Sequence, residues 1–371
     1  MLTLSTDVLV QSFMMPKRKT LLYRTVPFLI IGLSAFVLYL VFFVNIDEMI
    51  ATIKQTNVPI YFISAVATVL EVGLFSLAWH YFLKPLSATL SFKKAFMYVW
   101  ASSFIDLLIP AESVSGEISR IYFITHDGVD TGKAVASVVT QRILGTFLII
   151  GTLISGALYL LIFQIPFPSL VQSLIYFVIA VSAIFLCLVS VVWFKENWTQ
   201  NLIDKIIVFI ERVTRGRWNL NAWRDKARKD TRIFYESIRS FGANPKKLVF
   251  PILFSTLSWF FSILVYYLVF AAIGYYDLNW AILIVVYSLV VALKSIPIGI
   301  PWEFGVTEIA MTTLFGAFLG PQWLPISAAA TILIRIVTDF FRFVVGFGAF
   351  QWIGIKTLTE SETLVEQKNE I

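Results

Sequence analysis

Long apolar runs recur along this chain and are separated by short polar stretches. A helix of about 20 apolar residues is long enough to cross the hydrocarbon core of a bilayer. Runs of about this length are Val26–Val44, Val58–Leu83, Lys133–Phe163, Leu170–Phe194, Leu248–Ala272 and Ile326–Trp352. The pattern predicts an all-α polytopic membrane protein with about six full spans.

Two further apolar segments, 92–124 and 280–318, are interrupted by proline and polar residues. Proline disfavours helix in the residue before it and cannot donate a backbone hydrogen bond. We interpret each segment as two half-helices of a re-entrant hairpin. Non-helical backbone at membrane depth is tolerated where it is buried in protein or faces a watery cavity. Two short ordinary spans are the alternative for the first segment.

Both interrupted segments carry the pattern Pro-x-Glu-x4-Glu, and an arginine follows each in the next apolar run. The charged positions are Glu112, Glu117 and Arg142 in the first copy and Glu303, Glu308 and Arg335 in the second. The first hairpin precedes an outward span, and the second precedes an inward one. This order predicts an inverted-topology repeat, which in transporters places the substrate site between the two broken segments.

Composition agrees with a membrane protein. Hydrophobic residues make up 58% of the 371 residues and charged residues only 14%, with a mean hydropathy of +0.82. The net charge of +6 comes from basic residues beside apolar spans, which is typical of cytoplasmic loops facing anionic lipid and does not indicate a nucleic-acid partner. Cys187, His80 and His126 have no partners at metal-ligand spacing, so we expect neither a metal nor a cofactor.

The distribution of basic residues predicts the topology, with both termini on the cytoplasmic side of the cell membrane. The predicted units are a cytoplasmic N-terminus 1–24, a first membrane half 25–194, a basic cytoplasmic segment 195–247, a second membrane half 248–355 and a cytoplasmic tail 356–371. Apolar residues at helical spacing in 195–247 predict amphipathic helices on the inner leaflet, with a solvated linker as the alternative. Membrane lipids are the predicted partners, and self-association is left open.

Ionisable side chains at membrane depth are costly and usually mark a pathway or a binding site. Candidate substrate-binding residues are Glu112, Glu117, Arg120, Arg142, Glu303, Glu308 and Arg335. Arginine's planar fork binds phosphate or carboxylate with two parallel hydrogen bonds. Structural ion pairs and helix caps are the alternative for all of them. Glu71 and Asp339 are candidates for proton coupling, and Glu71 could equally be a hydrogen-bonded structural group.

These motifs resemble the transmembrane-region family of lysylphosphatidylglycerol synthases, also called flippase-like proteins. The first family signature corresponds to Ser102–Pro110 followed by Gly116, Glu117 and Arg120, and the second to Ile300–Glu308. The resemblance covers roughly Thr20 to Ile355. It implies movement of a polar lipid between leaflets, such as an aminoacylated phospholipid or a polyprenyl-phosphate-linked intermediate. No synthase domain follows Trp352, so lysyl transfer is not expected.

Three departures from the family pattern concern the candidate site. Glu112 lies near a usual basic position, Gln141 replaces a glutamate before Arg142, and Trp302-Glu303 replaces a glycine pair. These departures bear on lipid specificity more than on fold.

The predicted function is a transporter or flippase for a polar, phosphate-bearing lipid, with a Glu/Arg-lined site between the hairpins. A membrane-embedded lipid-modifying transferase with Glu117 or Glu308 as general base is one alternative. A small-solute or ion carrier is another. No catalytic nucleophile, metal or cofactor motif is present in a fitting context, so an enzyme is not expected.

Overall fold

The computed structural model describes residues 18–109, 114–166, 168–213, 221–296 and 300–354. Within these ranges the chain is helical and forms no strand. This agrees with the predicted all-α class. Glu112 and the rest of the first hairpin's polar break lie outside the described residues, as do the two chain ends.

The helices of the first half and the middle segment follow closely on one another. They are α1 (Arg18–Phe43), α2 (Ile46–Lys54), α3 (Val58–Leu83), α4 (Phe92–Leu108), α5 (Val114–His126), α6 (Thr131–Ile162), α7 (Ser169–Phe194), α8 (Glu196–Val213) and α9 (Asn221–Ala243). The second half contains α10 (Val249–Ala272), α11 (Trp280–Lys294), α12 (Val306–Leu319), α13 (Leu324–Arg335), a π-helical turn (Ile336–Phe340) and α14 (341–354).

Candidate membrane spans are fewer than the six predicted. In the described part of the chain, four helical stretches are long and apolar enough to cross a bilayer: Val58–Leu86, Thr131–Ile162, Ser169–Leu188 and Pro245–Ala272. A fifth candidate is the pair Leu33–Phe43 and Ile46–Lys54, which is bent by 103°. The last predicted run is divided by its π-helical turn. The exact span count and the inverted repeat stay predictions.

The first predicted hairpin is present as two helices packed side by side, and its re-entrant insertion stays a prediction. Near the start of α4, Lys94 Nζ lies 2.9 Å from the carboxylate of Asp127, which follows α5. Near the other end of α4, Asp106 accepts a hydrogen bond from the backbone N–H of Gly116, close to the start of α5. The two helices are therefore antiparallel. In the second hairpin, α11 and α12 are likewise short apolar helices, and the 3₁₀ turn Pro301–Glu303 lies between them.

The stretch 45–57, which lies between the first two predicted spans, contains helix α2. Asn45 caps this helix through its side chain, which accepts the backbone N–H of Glu48 at 3.3 Å. Asp47 and Glu48 lie in its first turn, where the helix dipole favours negative charge. Met49 packs against Ala328 and Ala329 of α13. The two acidic residues therefore stabilise the start of the helix.

The basic middle segment is helical, as predicted, but α9 docks onto the membrane helices. Phe234 and Phe241 are buried in the same cluster as Phe82 of α3 and Ala136 of α6. A Cβ added to Gly132 of α6 would lie 2.4 Å from the backbone oxygen of Asp230, so only glycine permits this approach. Neither predicted alternative, a helix on the leaflet surface or a solvated linker, included this contact. The cytoplasmic location of the segment 195–247 stays a prediction.

Candidate functional site

A cavity of about 370 Å³ lies between the two halves of the molecule. Its walls come from α3 to α6 on one side and from α10, α11 and the helix that follows α13 on the other. Its ionisable lining residues are Glu71, Asp106, Glu117, Arg120, Arg142, Lys294, Asp339 and Arg342. The cavity thus brings together three candidate substrate-binding residues of the first half (Glu117, Arg120 and Arg142), the two candidates for proton coupling, and two cations that were not among the candidates.

The ion pair between Glu117 and Arg142 is the most accessible of the predicted pairs. Arg142 Nη1 lies 3.3 Å from Glu117 Oε1, and the exposed fractions of the two side chains are 32% and 24%, respectively. A single long contact between partly exposed groups is weaker than a short two-bond pair. Arg142 can therefore exchange its partner without exposing a deeply buried charge.

Arg120 lies deeper than Arg142 and is held by an amide. Its Nη1 donates to Oε1 of Gln141 at 2.8 Å, and Gln141 Nε2 donates to the backbone oxygen of Phe75 at 3.1 Å. The guanidinium also lies over the rings of Phe75 and Trp79. Gln141 is neutral, so the nearby carboxylate of Glu117 serves both Arg120 and Arg142.

Asp106 caps the start of the return helix α5. Its Oδ1 accepts the Ser115 hydroxyl at 2.6 Å and the Gly116 N–H at 2.8 Å. A carboxylate at a helix N-terminus is stabilised by the exposed N–H groups and the dipole. Asp106 therefore takes the capping role that we considered for Glu117, and Glu117 lines the cavity.

In the second hairpin, Glu308 and Arg335 form a saturated pair, in which both carboxylate oxygens and all three guanidinium nitrogens bond to groups of the protein. Glu308 Oε1 accepts Arg335 Nε at 2.7 Å, and its Oε2 accepts the backbone N–H of Gly305 at 2.7 Å. Arg335 also donates to Asp339 and to the backbone oxygen of Trp302. Both side chains of the pair are only 4% exposed. These two residues thus form an ion pair of the kind considered as the structural alternative, and neither lines the cavity.

Glu303 occupies a buried and strained position. Its Oε2 accepts the Thr307 hydroxyl at 2.9 Å, and the residue is 2% exposed. Trp302 and Glu303 have φ values of 60° and 49°, in the left-handed region where glycine is favoured. This conformation gives a physical reason for the glycine pair that the family pattern has here. In this chain, the bond from Arg335 to the Trp302 carbonyl helps to hold it.

Two further ion pairs lie at the cavity wall, and the first of them connects the two halves. Arg342 Nη2 lies 2.5 Å from Glu71 Oε2, and Lys294 Nζ lies 3.5 Å from Asp339 Oδ1. Asp339 therefore touches both the cavity cation Lys294 and the buried Arg335. The predicted role of Glu71 and Asp339 in proton coupling stays a prediction.

A second, apolar cavity of about 570 Å³ adjoins the first and shares the Glu117–Arg142 pair with it. Its apolar lining residues are Val135, Val139, Ile143, Phe185, Leu188 and Phe234. Leu188 is 60% exposed on the outside of α7, so this apolar groove reaches the apolar outer surface of the protein. The sequence analysis did not identify it, because its walls come from helices far apart in the chain.

The wall formed by α10 also carries site residues that the sequence analysis missed. Ser255, Ser258, Trp259 and Ser262 all line the polar cavity. They are spaced i, i+3, i+4 and i+7, which places them on one face of a helix. A polar stripe within an otherwise apolar span was the signal that could have found them.

The fold and the cavity define a class: a polytopic helical membrane protein with a charged cavity between two broken helical segments. The chain belongs to the family described as the lysylphosphatidylglycerol synthase TM region, which matches residues 29–346. The resemblance inferred from the motifs is thereby confirmed.

Two archaeal relatives match most of the chain. It is 24% identical over 316 residues to a UPF0104 membrane protein of Methanocaldococcus jannaschii, covering 84% of this chain and 90% of the relative. It is 27% identical over 306 residues to a UPF0104 membrane protein of Methanothermobacter thermautotrophicus, covering 80% and 86%, respectively. No solved structure matches the chain.

Proposed function

We propose that this protein moves a polar, phosphate-bearing lipid between the leaflets of the cell membrane, with both termini in the cytoplasm. The observation that carries the proposal is the position of the Glu117–Arg142 pair, which lines the polar cavity and the apolar groove at once. A lipid needs both environments side by side. Its phosphate would lie at Arg142 while a hydrocarbon chain occupies the groove.

Arg142 is suited to receive the phosphate. A guanidinium stays charged and can form two parallel hydrogen bonds with phosphate oxygens. Its present contact with Glu117 is a single one of 3.3 Å, and a phosphate could replace it. Glu117 would then keep Arg120 as its nearby cation. The exchange leaves no carboxylate stranded in a low-dielectric site, where an unpaired charge is costly.

Transport between leaflets would use the two hairpins as gates. In inverted-repeat transporters, one half rocks against the other around a fixed central site. The pair Glu71–Arg342 joins the two halves at the cavity and would break or re-form during such a movement, whereas Lys294–Asp339 lies within the second half.

The other two candidate functions are less well supported. Both carboxylate oxygens of Glu308 are engaged by Gly305 and Arg335, so Glu308 is poorly placed to act as the general base of a transferase. A carrier of a small solute needs no apolar groove beside its polar site.

Lipid movement in proteoliposomes tests the proposal. Purified protein is reconstituted with a fluorescent phospholipid, and transfer between leaflets is followed by quenching from outside. Wild-type protein should accelerate transfer, and Arg142→Ala should reduce the rate by about tenfold or more, since a charged hydrogen bond contributes about 1.5–3 kcal/mol. Arg239→Ala is the matched control, because this arginine is 70% exposed, pairs with Glu196 and lines neither cavity. Equal rates with and without protein would refute lipid transport.

A further inference from the structure

The wall of α10 carries hydrogen-bond donors that the protein itself does not use. Two of its serines are satisfied: Ser258 donates to the backbone oxygen of Glu71 at 3.0 Å, and Ser262 donates to the backbone oxygen of Ser258 at 3.1 Å. The hydroxyl of Ser255 and the indole N–H of Trp259 are buried and have no acceptor. Both residues line the polar cavity, one helical turn apart.

Arg342 adds a third unused donor on the same wall. Its Nη2 is bonded to Glu71, but its Nε is buried without an acceptor. Buried donors are nearly always satisfied in folded proteins, by protein, water or ligand. Three unsatisfied donors on residues that line one wall of one cavity indicate a place where a ligand supplies the acceptors.

The charges of this wall decide what kind of acceptor fits. Arg342 already has Glu71 at 2.5 Å, and Lys294 has Asp339 at 3.5 Å. A second anion here would compete with Glu71 for Arg342 and with Asp339 for Lys294, and like charges repel strongly in a low dielectric. Uncharged oxygens, by contrast, accept hydrogen bonds without disturbing either pair.

We propose that Ser255, Trp259 and Arg342 form a second subsite, which binds uncharged hydroxyl oxygens of the ligand's head group. The ligand is then a phospholipid whose phosphate lies at Arg142 and whose head group beyond the phosphate carries hydroxyls. This inference rests on the proposed function for the nature of the ligand. The subsite explains why a helix that is otherwise apolar presents a polar face to the cavity.

Two phospholipids of equal charge test the subsite. Phosphatidylglycerol and phosphatidylmethanol with identical chains carry the same phosphodiester, but only the first has head-group hydroxyls. Their affinities for the purified full-length protein are measured in detergent micelles by competition with a fluorescent phospholipid. Wild-type protein should bind phosphatidylglycerol about tenfold more tightly, as expected for one or two added hydrogen bonds.

Variants of the wall should remove this preference and nothing else. Trp259→Phe and Ser255→Ala should each reduce the preference to about threefold or less, because each removes one donor, while the affinity for phosphatidylmethanol is unchanged. Trp280→Phe is the matched control, because Trp280 is 40% exposed and does not line the cavity. Ser255→Ala should also leave the unliganded protein as stable as before, since its hydroxyl has no partner to lose. If Trp259→Phe does not fold, Ser255→Ala alone gives the same comparison.

The outcomes separate the subsite from the function. Tight but equal binding of both lipids by wild-type protein would overturn the subsite and leave lipid transport standing. Failure to bind either lipid would overturn both. A preference that persists in both wall variants would also overturn the subsite, because the hydroxyls would then be recognised elsewhere.

Discussion

The two copies of the charged pattern are alike in sequence but differ in their ion pairs. In the first half, Arg142 is 32% exposed and meets Glu117 through one contact of 3.3 Å. In the second, Arg335 is 4% exposed and donates to Glu308, Asp339 and the Trp302 carbonyl. One arginine is open to a ligand, and the other is fully used by the protein.

The difference has a local origin in the sequence. Asp339 lies four residues after Arg335, on the same helical face, and supplies a second carboxylate. The residue four after Arg142 is Thr146, whose hydroxyl donates to the Arg142 backbone oxygen at 3.1 Å. The residue one helical turn after each repeated arginine therefore determines whether that arginine is saturated by the protein. The comparison teaches that a repeated charged motif can hold the fold in one half and remain available for binding in the other.

The largest effect is expected when the saturated arginine is removed. Arg335→Ala leaves Glu308 and Asp339 as buried carboxylates without their shared partner, and breaking a buried pair costs about 3–5 kcal/mol. The free energy of unfolding in detergent micelles, measured by denaturant titration, should fall by that amount. Arg239→Ala, at an exposed pair, should change it by less than about 1 kcal/mol. If the Arg335→Ala variant were as stable as wild type, the claim that Arg335 stabilises the fold would be wrong.

The hairpins could be predicted from local sequence, and the ion-pair difference partly so. Residues 92–124 and 280–318 were predicted as broken segments because proline and charge interrupt apolar residues there, and α4, α5, α11 and α12 occupy them. The position of Asp339, four residues after Arg335, could also be recognised from the local sequence. Spacing cannot tell which carboxylate caps a helix, and Asp106 took the place of Glu117.

The apolar groove and the docking of α9 could not be predicted. The groove is bounded by α6, α7 and α9, and the contact at Gly132 joins residues about a hundred positions apart. Periodicity shows that a helix has an apolar face, but not what covers that face. Packing between residues far apart in the chain determines what covers the face, and this packing cannot be deduced from a single sequence.

A smaller effect on stability is expected at Gly132, which permits the close approach of α9 to α6 beside the apolar groove. Gly132→Ala places a Cβ 2.4 Å from the backbone oxygen of Asp230, so α9 must move away from the groove. Such overpacking costs about 1–3 kcal/mol. Gly151→Ala is the matched control on the same helix, because nothing lies within 4 Å of its added Cβ. Denaturant titration should show a loss for the first variant and none for the second. Equal stability of the two would show that α9 is not closely packed on α6.

The smallest change in stability, with a clear change in function, is expected from making the first half resemble the second. Thr146→Asp reproduces the spacing of Arg335 and Asp339 and should saturate Arg142 from within the protein. The protein should stay folded, while lipid transfer falls by about tenfold, because a second charged partner contributes roughly 1.4 kcal/mol at this distance. Thr146→Asn is the matched control without charge and should retain transfer. Unchanged transfer in Thr146→Asp would argue that Arg142 does not meet the lipid.

The position of a bound phospholipid is the most direct test of the central claim, that the open arginine of the first half binds the ligand. An experimental structure of the protein with a phospholipid resolved would measure it. The account predicts phosphate oxygens about 2.7–2.9 Å from the Arg142 guanidinium, as is usual for charged pairs of this kind, with a chain beside Val139 and Phe185. A phosphate bound to Arg335, or a lipid whose phosphate lies away from both cavities, would contradict it.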